Sequence, residues 1–428
     1  MSFRDDLAAA SEWAATYLET VGERPVASVL APGEVAARLP AAAPERGEPF
    51  SAMLADLDEI IVPGLTHWNH PRFLAYFANT GSEPGILAEL LVATLNVNAM
   101  SWGTSPAATE LEQVTLDWLA QLLGLPSGLH GHIEDTASTS TLAALAAARE
   151  LRPGGAVYAS EHAHFSVEKA ARILGLEFRA VPVDDDLRMR TDFSLDDATA
   201  VVATVGTTSF AAVDPVEVLA ERCEAAGVWL HVDAAYAGAA AVCPEFRACL
   251  AGVERADSIV VNPHKWLFTP MDCSALWTRR PDMLRAAFAA HGDYLAATDG
   301  AIDLRDHGPA LGRRFRALKL WFVLRWYGRE GLQALIREHI RLAALFEEWV
   351  AADPDWEVSA PRQFSLVAFR HRRADNDEIA RRATATGSVF VATTKLRGES
   401  VLRLAIGNGQ TQQADVERAW NVLRECAQ

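Results

Sequence analysis

Short apolar runs recur through the middle of the chain: "GAVYAS" from 155, "ATAVVATVG" from 198, "GVWLHVDA" from 227 and "SIVVNP" from 258. Each is bounded by Gly, Asp, Pro or Ser and is too short for a helix that stands alone, so each predicts a buried β-strand. Between them, "FSVEKAARILG" and "DPVEVLAERCEAAG" place apolar residues at helical spacing. Strands alternating with amphipathic helices predict βα units and a mainly parallel sheet, with functional groups collected at the strands' C-terminal ends. The first stretch differs: "DLAAASEWAATYLETV" and "EPFSAMLADLDEII" are helical in period and are separated by Pro and Gly. This N-terminal helical segment, residues 1–82, has too little apolar surface for a core of its own and is expected to pack on a partner. Residues 83–335 are expected to form the large domain. Residues 336–428, where a long helical stretch gives way to "FSLVAFRHRR" and "SVLRLAIGNGQT", are expected to form a small α+β domain.

Bulk composition narrows the classes. At 428 residues the chain exceeds one comfortable core, and half of it is hydrophobic, as in a folded enzyme. A net charge of −17 opposes nonspecific nucleic-acid binding, which needs basic surface to displace counterions, and opposes an anionic membrane. The opening "MSFRDD" carries acids where a signal peptide would carry lysines, and no apolar run is long enough to span a bilayer. Five cysteines without a CxxC read as scattered thiols, so a cytoplasmic location is expected.

The ends of the predicted strands carry chemistry. His164 follows the first, Thr207 and Thr208 the second, Asp233 the third, and Asn262, His264 and Lys265 the fourth. Upstream, "DTASTSTLAALAAARE" puts Thr136 and Ser138 at a helix start, where unpaired N–H groups favour an anion. Each group has a plain structural reading: a helix cap, a satisfied core histidine, an aspartate closing a turn. Lys265 is harder to place that way, because an ammonium within an apolar run is costly to desolvate. Taken together the groups suit pyridoxal phosphate. The cofactor needs an unprotonated amine, a carboxylate at its pyridine nitrogen, a phosphate cradle and a flat group against its ring. Lys265, Asp233, the Thr136/Ser138 helix start and His164 supply one each.

"HVDAAYAG" with "CPEFR", then "ADSIVVNPHKWL", resembles the pyridoxal-phosphate-dependent group II decarboxylases of the aromatic-L-amino-acid (DOPA) decarboxylase family. The likeness extends from "HWNHPRFLAYF" through "SWGTSPAATELEQVTLDWL" and "LGRRFRALKLWFVLRWYG" to "VLRLAI". It implies the fold of aspartate aminotransferase, fold type I: a central seven-stranded mixed, mostly parallel sheet in an α/β large domain, with a small α+β C-terminal domain. It implies a homodimer with active sites at the interface and decarboxylation of an L-amino acid, aromatic in the family, to amine and carbon dioxide. By motif, Lys265 is the Schiff-base lysine, Asp233 the pyridinium partner and His164 the stacking residue. Thr136, Ala137, Ser138, Asn262 and His264 would hold the phosphate, and Thr208 and Ala235 would lie against the cofactor. Trp68, Tyr76, Phe77, Asn79 and His264 would face substrate, and Asn98 and Met100 would reach into the neighbouring subunit's site.

Two departures matter. The family's mobile-loop tyrosine, which returns a proton to Cα, is matched without a gap by Leu304, and leucine has no proton to give. Either Tyr294, His307 or His164 takes over, or the reaction turns to oxidative deamination and yields an aldehyde. Ala78 and Asn79 stand where Pro and Thr are common, and Asn98 and Met100 replace apolar and aromatic groups, which favours a smaller or more polar substrate. A different class is a metal-dependent hydrolase. "HGH" (His130, His132) and "HAH" (His162, His164) would put paired imidazoles on one face of a strand, but zinc needs a third ligand. No metal is expected. A non-catalytic relative would have lost Lys265 or Asp233, and both are present.

Overall fold

The computed structural model describes residues 2–289 and 300–428, and its strands form two sheets. The larger contains β1 (His130–Glu134), β2 (Ala156–Ser160), β3 (Glu177–Val181), β4 (Ala198–Thr204), β5 (Trp229–Asp233), β6 (Ser258–Val261) and β7 (Ser274–Thr278). Their spatial order is β1-β7-β6-β5-β4-β2-β3. β2 pairs in parallel with β3 and β4, as do β4 with β5 and β5 with β6; β7 is antiparallel to both of its neighbours. This is the seven-stranded, mostly parallel sheet that the apolar runs and the resemblance led us to expect. β2, β4, β5 and β6 are buried along their whole length, which explains why they read as continuous apolar runs rather than as alternating ones.

The strand directions decide where chemistry can gather. β1 opposes β7, and β7 opposes β6, so β1 runs the same way as β6. Its C-terminal end therefore lies on the same rim as the ends of β6, β5, β4 and β2. The helix that leaves this end, Ala137–Leu151, packs over β7, β6, β5 and β4 before the chain enters β2. Apolar side chains from this helix, from helix Ser166–Ile173 and from the strands form one core, among them Leu145, Val157, Val167, Val202, Trp229 and Val260.

The second sheet has β8 (Trp356–Val358), β9 (Leu366–His371), β10 (Ala392–Leu396) and β11 (Glu399–Ala405), ordered β10-β11-β9-β8. The long helical stretch becomes Arg316–Ala352, interrupted at Gly328, whose φ is 58°.

The chain divides into two compact units. Asn79–Ala344 with Ala360–Val367 makes the sheet unit, and Met1–Ala78, Leu345–Ser359 and Ala368–Gln428 make the terminal unit. These boundaries differ from the 1–82, 83–335 and 336–428 divisions suggested by the sequence. The reason is backbone pairing at long range within the terminal unit. Val26 N–H donates to Gly387 O at 2.8 Å, Leu74 N–H to Phe390 O at 2.9 Å and Ala405 N–H to Leu74 O at 2.9 Å. Arg72 Nη1 meets Asp415 Oδ1 at 3.0 Å. The first helix, Phe3–Thr20, buries none of its residues. Among the described residues no helix is long and apolar enough to cross a membrane.

Candidate active site

At the common rim, Asp233 ends β5 level with Thr204 at the end of β4 and Val260 in β6. Asp233 is 5% exposed, and its Oδ1 accepts the Ala235 N–H at 3.1 Å, which fixes one carboxylate oxygen. Beyond β6, Pro263–Trp266 forms a single helical turn carrying half-buried Lys265. One turn cannot hold itself; its neighbours hold it. Trp266 is buried, stacks on Tyr236 at 5.0 Å and 14°, and donates from Nε1 to His339 Nδ1 at 2.9 Å. Tyr236 in turn shares a 2.7 Å hydrogen bond with Ser365.

His164 lies in the loop after β2. Its Nδ1 accepts the Ser166 N–H at 3.3 Å and is 2.7 Å from the Ser166 hydroxyl, leaving the proton on Nε2. Burial is the largest cause pulling its pKa below the ordinary histidine value; the Asp233 carboxylate opposes this and the Lys265 ammonium adds to it. His164 thus feels both other groups, so amine, carboxylate and imidazole share one neighbourhood.

The chemistry of the donors tests whether pyridoxal phosphate fits. In the helix Ala137–Leu151, the Thr136 carbonyl receives the N–H groups of Thr139 and Ser140 at 3.1 and 3.0 Å. The N–H groups of Ala137 and Ser138 precede these bonds and face the rim, an anion-binding arrangement. Asp135 takes the Thr136 N–H and the Thr139 hydroxyl, and Thr136, the N-cap residue, makes no side-chain cap hydrogen bond. His264 Nδ1 accepts the Cys273 N–H at 3.0 Å, so its proton is on Nε2, 3.3 Å from the Asn262 amide. The Asn262 oxygen is the natural acceptor for that proton. With the amide turned to supply it, Nδ2 is left as a buried donor without a partner among the described residues, which suits a phosphate oxygen. Burial first, then Lys265, pushes His264 down to about 3, so it is neutral. The donors fit the cofactor.

Other expected residues fall as follows. Ala235 is buried at the rim and Thr208 is exposed in the turn after β4. Asn79 Nδ2 is 3.4 Å from Met271 Sδ, and Asn98 lies beside Met100, its Oδ1 accepting the Arg313 N–H at 3.0 Å. Trp68, Tyr76 and Phe77 belong to the terminal unit. There Trp68 packs on Phe73 at 4.3 Å and stacks on Tyr76 at 5.8 Å, and the Arg403 guanidinium covers Phe77. Leu304 is fully buried in a short 3-10 turn rather than on a loose loop. Arg305 N–H donates to Met100 O at 2.9 Å, and Asp303 accepts the Trp102 N–H, so this stretch is pinned to residues 100–102. His307 is buried against His130, with 3.1 Å between ring nitrogens, and burial pushes it to about 2. Tyr294 lies outside the described residues.

Sequence reasoning missed Ser166, which sets the His164 tautomer, and the buried Glu112–Arg313 pair at 2.7 Å, in which Arg313 also donates to Ile133 O of β1. The doubled arginine of "LGRRF" signals the second. Nothing local signals the first.

Residues 32–372 match the model of the pyridoxal-dependent decarboxylase conserved domain. The chain is 41% identical over 457 positions to the aromatic-L-amino-acid decarboxylase of Sus scrofa, covering 97% of this chain and 94% of that one. It is 39% identical over 458 positions to the phenylacetaldehyde synthase of Arabidopsis thaliana, covering 97% and 93%. The crystal structure of Oryza sativa TDC with PLP and tryptamine superposes with a TM-score of 0.96 at 37% identity, covering 99% and 97%. The fold is fold type I, and the chain belongs to the pyridoxal-dependent decarboxylases, carboxy-lyases that use pyridoxal phosphate.

Proposed function

We propose that the chain decarboxylates an aromatic L-amino acid to its amine and carbon dioxide, with Lys265, Asp233 and His164 at the reacting centre. The observation that carries this reading is the meeting of that amine, carboxylate and neutral imidazole on the rim where a helix start and Asn262 offer anion donors. Bound pyridoxal phosphate supplies the ring that accepts the electron pair of the broken Cα–carboxylate bond. Lys265 would hold the cofactor through its side-chain amine. Asp233 keeps a proton on the pyridine nitrogen. His164, neutral, offers a flat face to the ring. Ala137, Ser138 and Asn262 would hold the phosphate, His264 would orient the Asn262 amide, and Thr136, Thr208 and Ala235 would line the cofactor. By motif Trp68, Tyr76, Phe77 and Asn79 would face substrate and Asn98 and Met100 would reach into the neighbouring subunit's site, and the name of the pig relative supports an aromatic side chain.

A second reading, aldehyde formation with oxygen, is favoured by Leu304, which is buried and aprotic, and by the likeness to a phenylacetaldehyde synthase. Incubating holoenzyme with a panel of L-amino acids, and measuring amine, carbon dioxide, aldehyde and peroxide together, separates the two. Amine equal to carbon dioxide without peroxide is expected; aldehyde with matching peroxide selects the second reading.

The working form is proposed to be a homodimer in the cytoplasm. Leu87, Leu90, Leu91 and Leu95 on helix Glu83–Leu95, and Val114 and Trp118 on helix Pro106–Leu123, leave large apolar surface exposed, as an obligate interface would. All five cysteines are free thiols, which suits a reducing compartment. Sedimentation of holoenzyme is expected to show twice the chain mass.

A further inference from the structure

Side chains alternate along a strand, so Trp229, His231 and Asp233 share one face of β5, with Asp233 at the rim. His231 is fully buried and stands in register with Ser258 of β6. Its Nδ1 is 2.9 Å from Ser258 Oγ, and Trp229 Nε1 donates to that same oxygen at 2.9 Å. An indole N–H can only donate, so the serine oxygen spends a lone pair on it. The serine's own proton then has His231 Nδ1 as its acceptor, which leaves the imidazole proton on Nε2. That nitrogen is buried with no hydrogen-bond partner among the described residues, an arrangement proteins rarely leave unused. Burial pushes the ring down to about 4, so it is neutral, and the charge acting on it is that of Asp233.

We propose that Trp229, Ser258 and His231 form a directional hydrogen-bond chain ending on Asp233, with His231 Nε2–H as the positioning donor, through one bridging water, to the carboxylate that meets the cofactor's pyridine nitrogen. The inference rests on the pyridoxal-phosphate reading and deepens it. Ala235 N–H already holds Oδ1; a donor from below holds the carboxylate's remaining freedom, so that it presents one fixed face to the ring nitrogen. His231 touches no reacting atom. It acts through Asp233.

The test uses full-length protein with isotopically labelled histidine. Nitrogen NMR of the apoprotein, with the His231 signal identified by its loss in His231→Gln, is expected to show Nε2 protonated and Nδ1 accepting. Adding pyridoxal phosphate is expected to move the Nε2 proton downfield, and Asp233→Asn is expected to remove that movement. His231→Phe is expected to weaken cofactor binding by about tenfold, the scale of a lost charge-assisted hydrogen bond, and to shift the visible band of bound cofactor. Its kcat falls while the substrate KM holds. His231→Gln, which retains a donor, recovers part of the loss. Ser258→Ala, a gentler change, frees the tautomer and gives a smaller shift in the same direction. Protonation on Nδ1 in the wild type, a Nε2 signal indifferent to cofactor, or a His231→Phe variant with unchanged band and affinity would each overturn the proposal. Wild-type protein that develops no visible band with the cofactor would instead sink the parent reading, while the apoprotein tautomer stays measurable.

Discussion

The chain spells His-x-His twice, and the two copies have opposite fates. In "HAH", His164 comes to the rim, where the charges of Asp233 and Lys265 act on it. In "HGH", His132 is fully buried, its Nε2 3.3 Å from Glu134 Oε1, while His130 pairs with His307. Glu134 is enclosed as well: a Cβ at Gly308 would overlap its carboxylate, so only glycine fits there. Burial pushes Glu134 up to about 7 and His132 down to about 3, so His132 is neutral and the pair is not a salt bridge. Among the described residues no group of three or more His, Cys, Asp or Glu is arranged to hold a metal ion. A motif's chemistry is set by which strand end it reaches, and only one of these copies reaches water, amine and carboxylate together.

The sharpest way to test that contrast is on the rim. Lys265→Ala is expected to cost at least about 10³-fold in turnover and to abolish the visible band of bound cofactor, as read by absorption and single-turnover kinetics. Asp233→Asn ranks next, with an expected loss of about 10²–10³-fold in kcat and an unchanged thermal midpoint; near-full activity would remove Asp233 from the site. The histidines should then separate cleanly. His164→Asn is expected to lower kcat with little loss of stability. His132→Asn is expected to cost about 1–3 kcal/mol of stability by urea titration, with turnover per folded molecule retained.

Near neutral pH the smallest effect is on the pH dependence of stability. A buried histidine with a depressed pKa binds its proton only when unfolded. For His132 (about 3) and His231 (about 4) the unfolded chain therefore holds more protons below pH 6.5, and stability falls as pH drops from there toward those values. Each contributes up to about 1.4 kcal/mol per pH unit. Glu134 acts with the opposite sign: folded protein holds its proton between 4.5 and about 7, so acidification through that window stabilises. His132→Asn is expected to flatten the fall below pH 6.5, and Glu134→Gln to steepen it, in urea midpoints measured across pH.

Much of this was legible in the sequence where burial is uniform. β2, β4, β5 and β6 are covered on both faces, so their apolar runs announce them, and the residues following them fall on one rim as parallel strands require. β1 and β3 were not legible: "HGHIE" has glycine and histidine where a strand normally shows β-branched residues, and "EFRAV" is an edge strand with exposed positions. The grouping of residues 1–78 with the C-terminal segments depends on hydrogen bonds from Val26 and Leu74 to partners hundreds of residues away, which no local pattern encodes. Lys265, Asp233 and His164 could be named from motif. The register that sets His231 against Ser258 could not, because a single sequence says nothing about which residue lies across from which.

β1 runs with β6 although β7 intervenes, and this has a consequence for how the protein comes into being. The anion-binding helix start and the reactive lysine follow strands that are not neighbours, and β7 sets the spacing between them by pairing with both. A sheet open at β7 therefore does not hold the two at a working distance, and capture of the vitamin reports that this part of the sheet has closed.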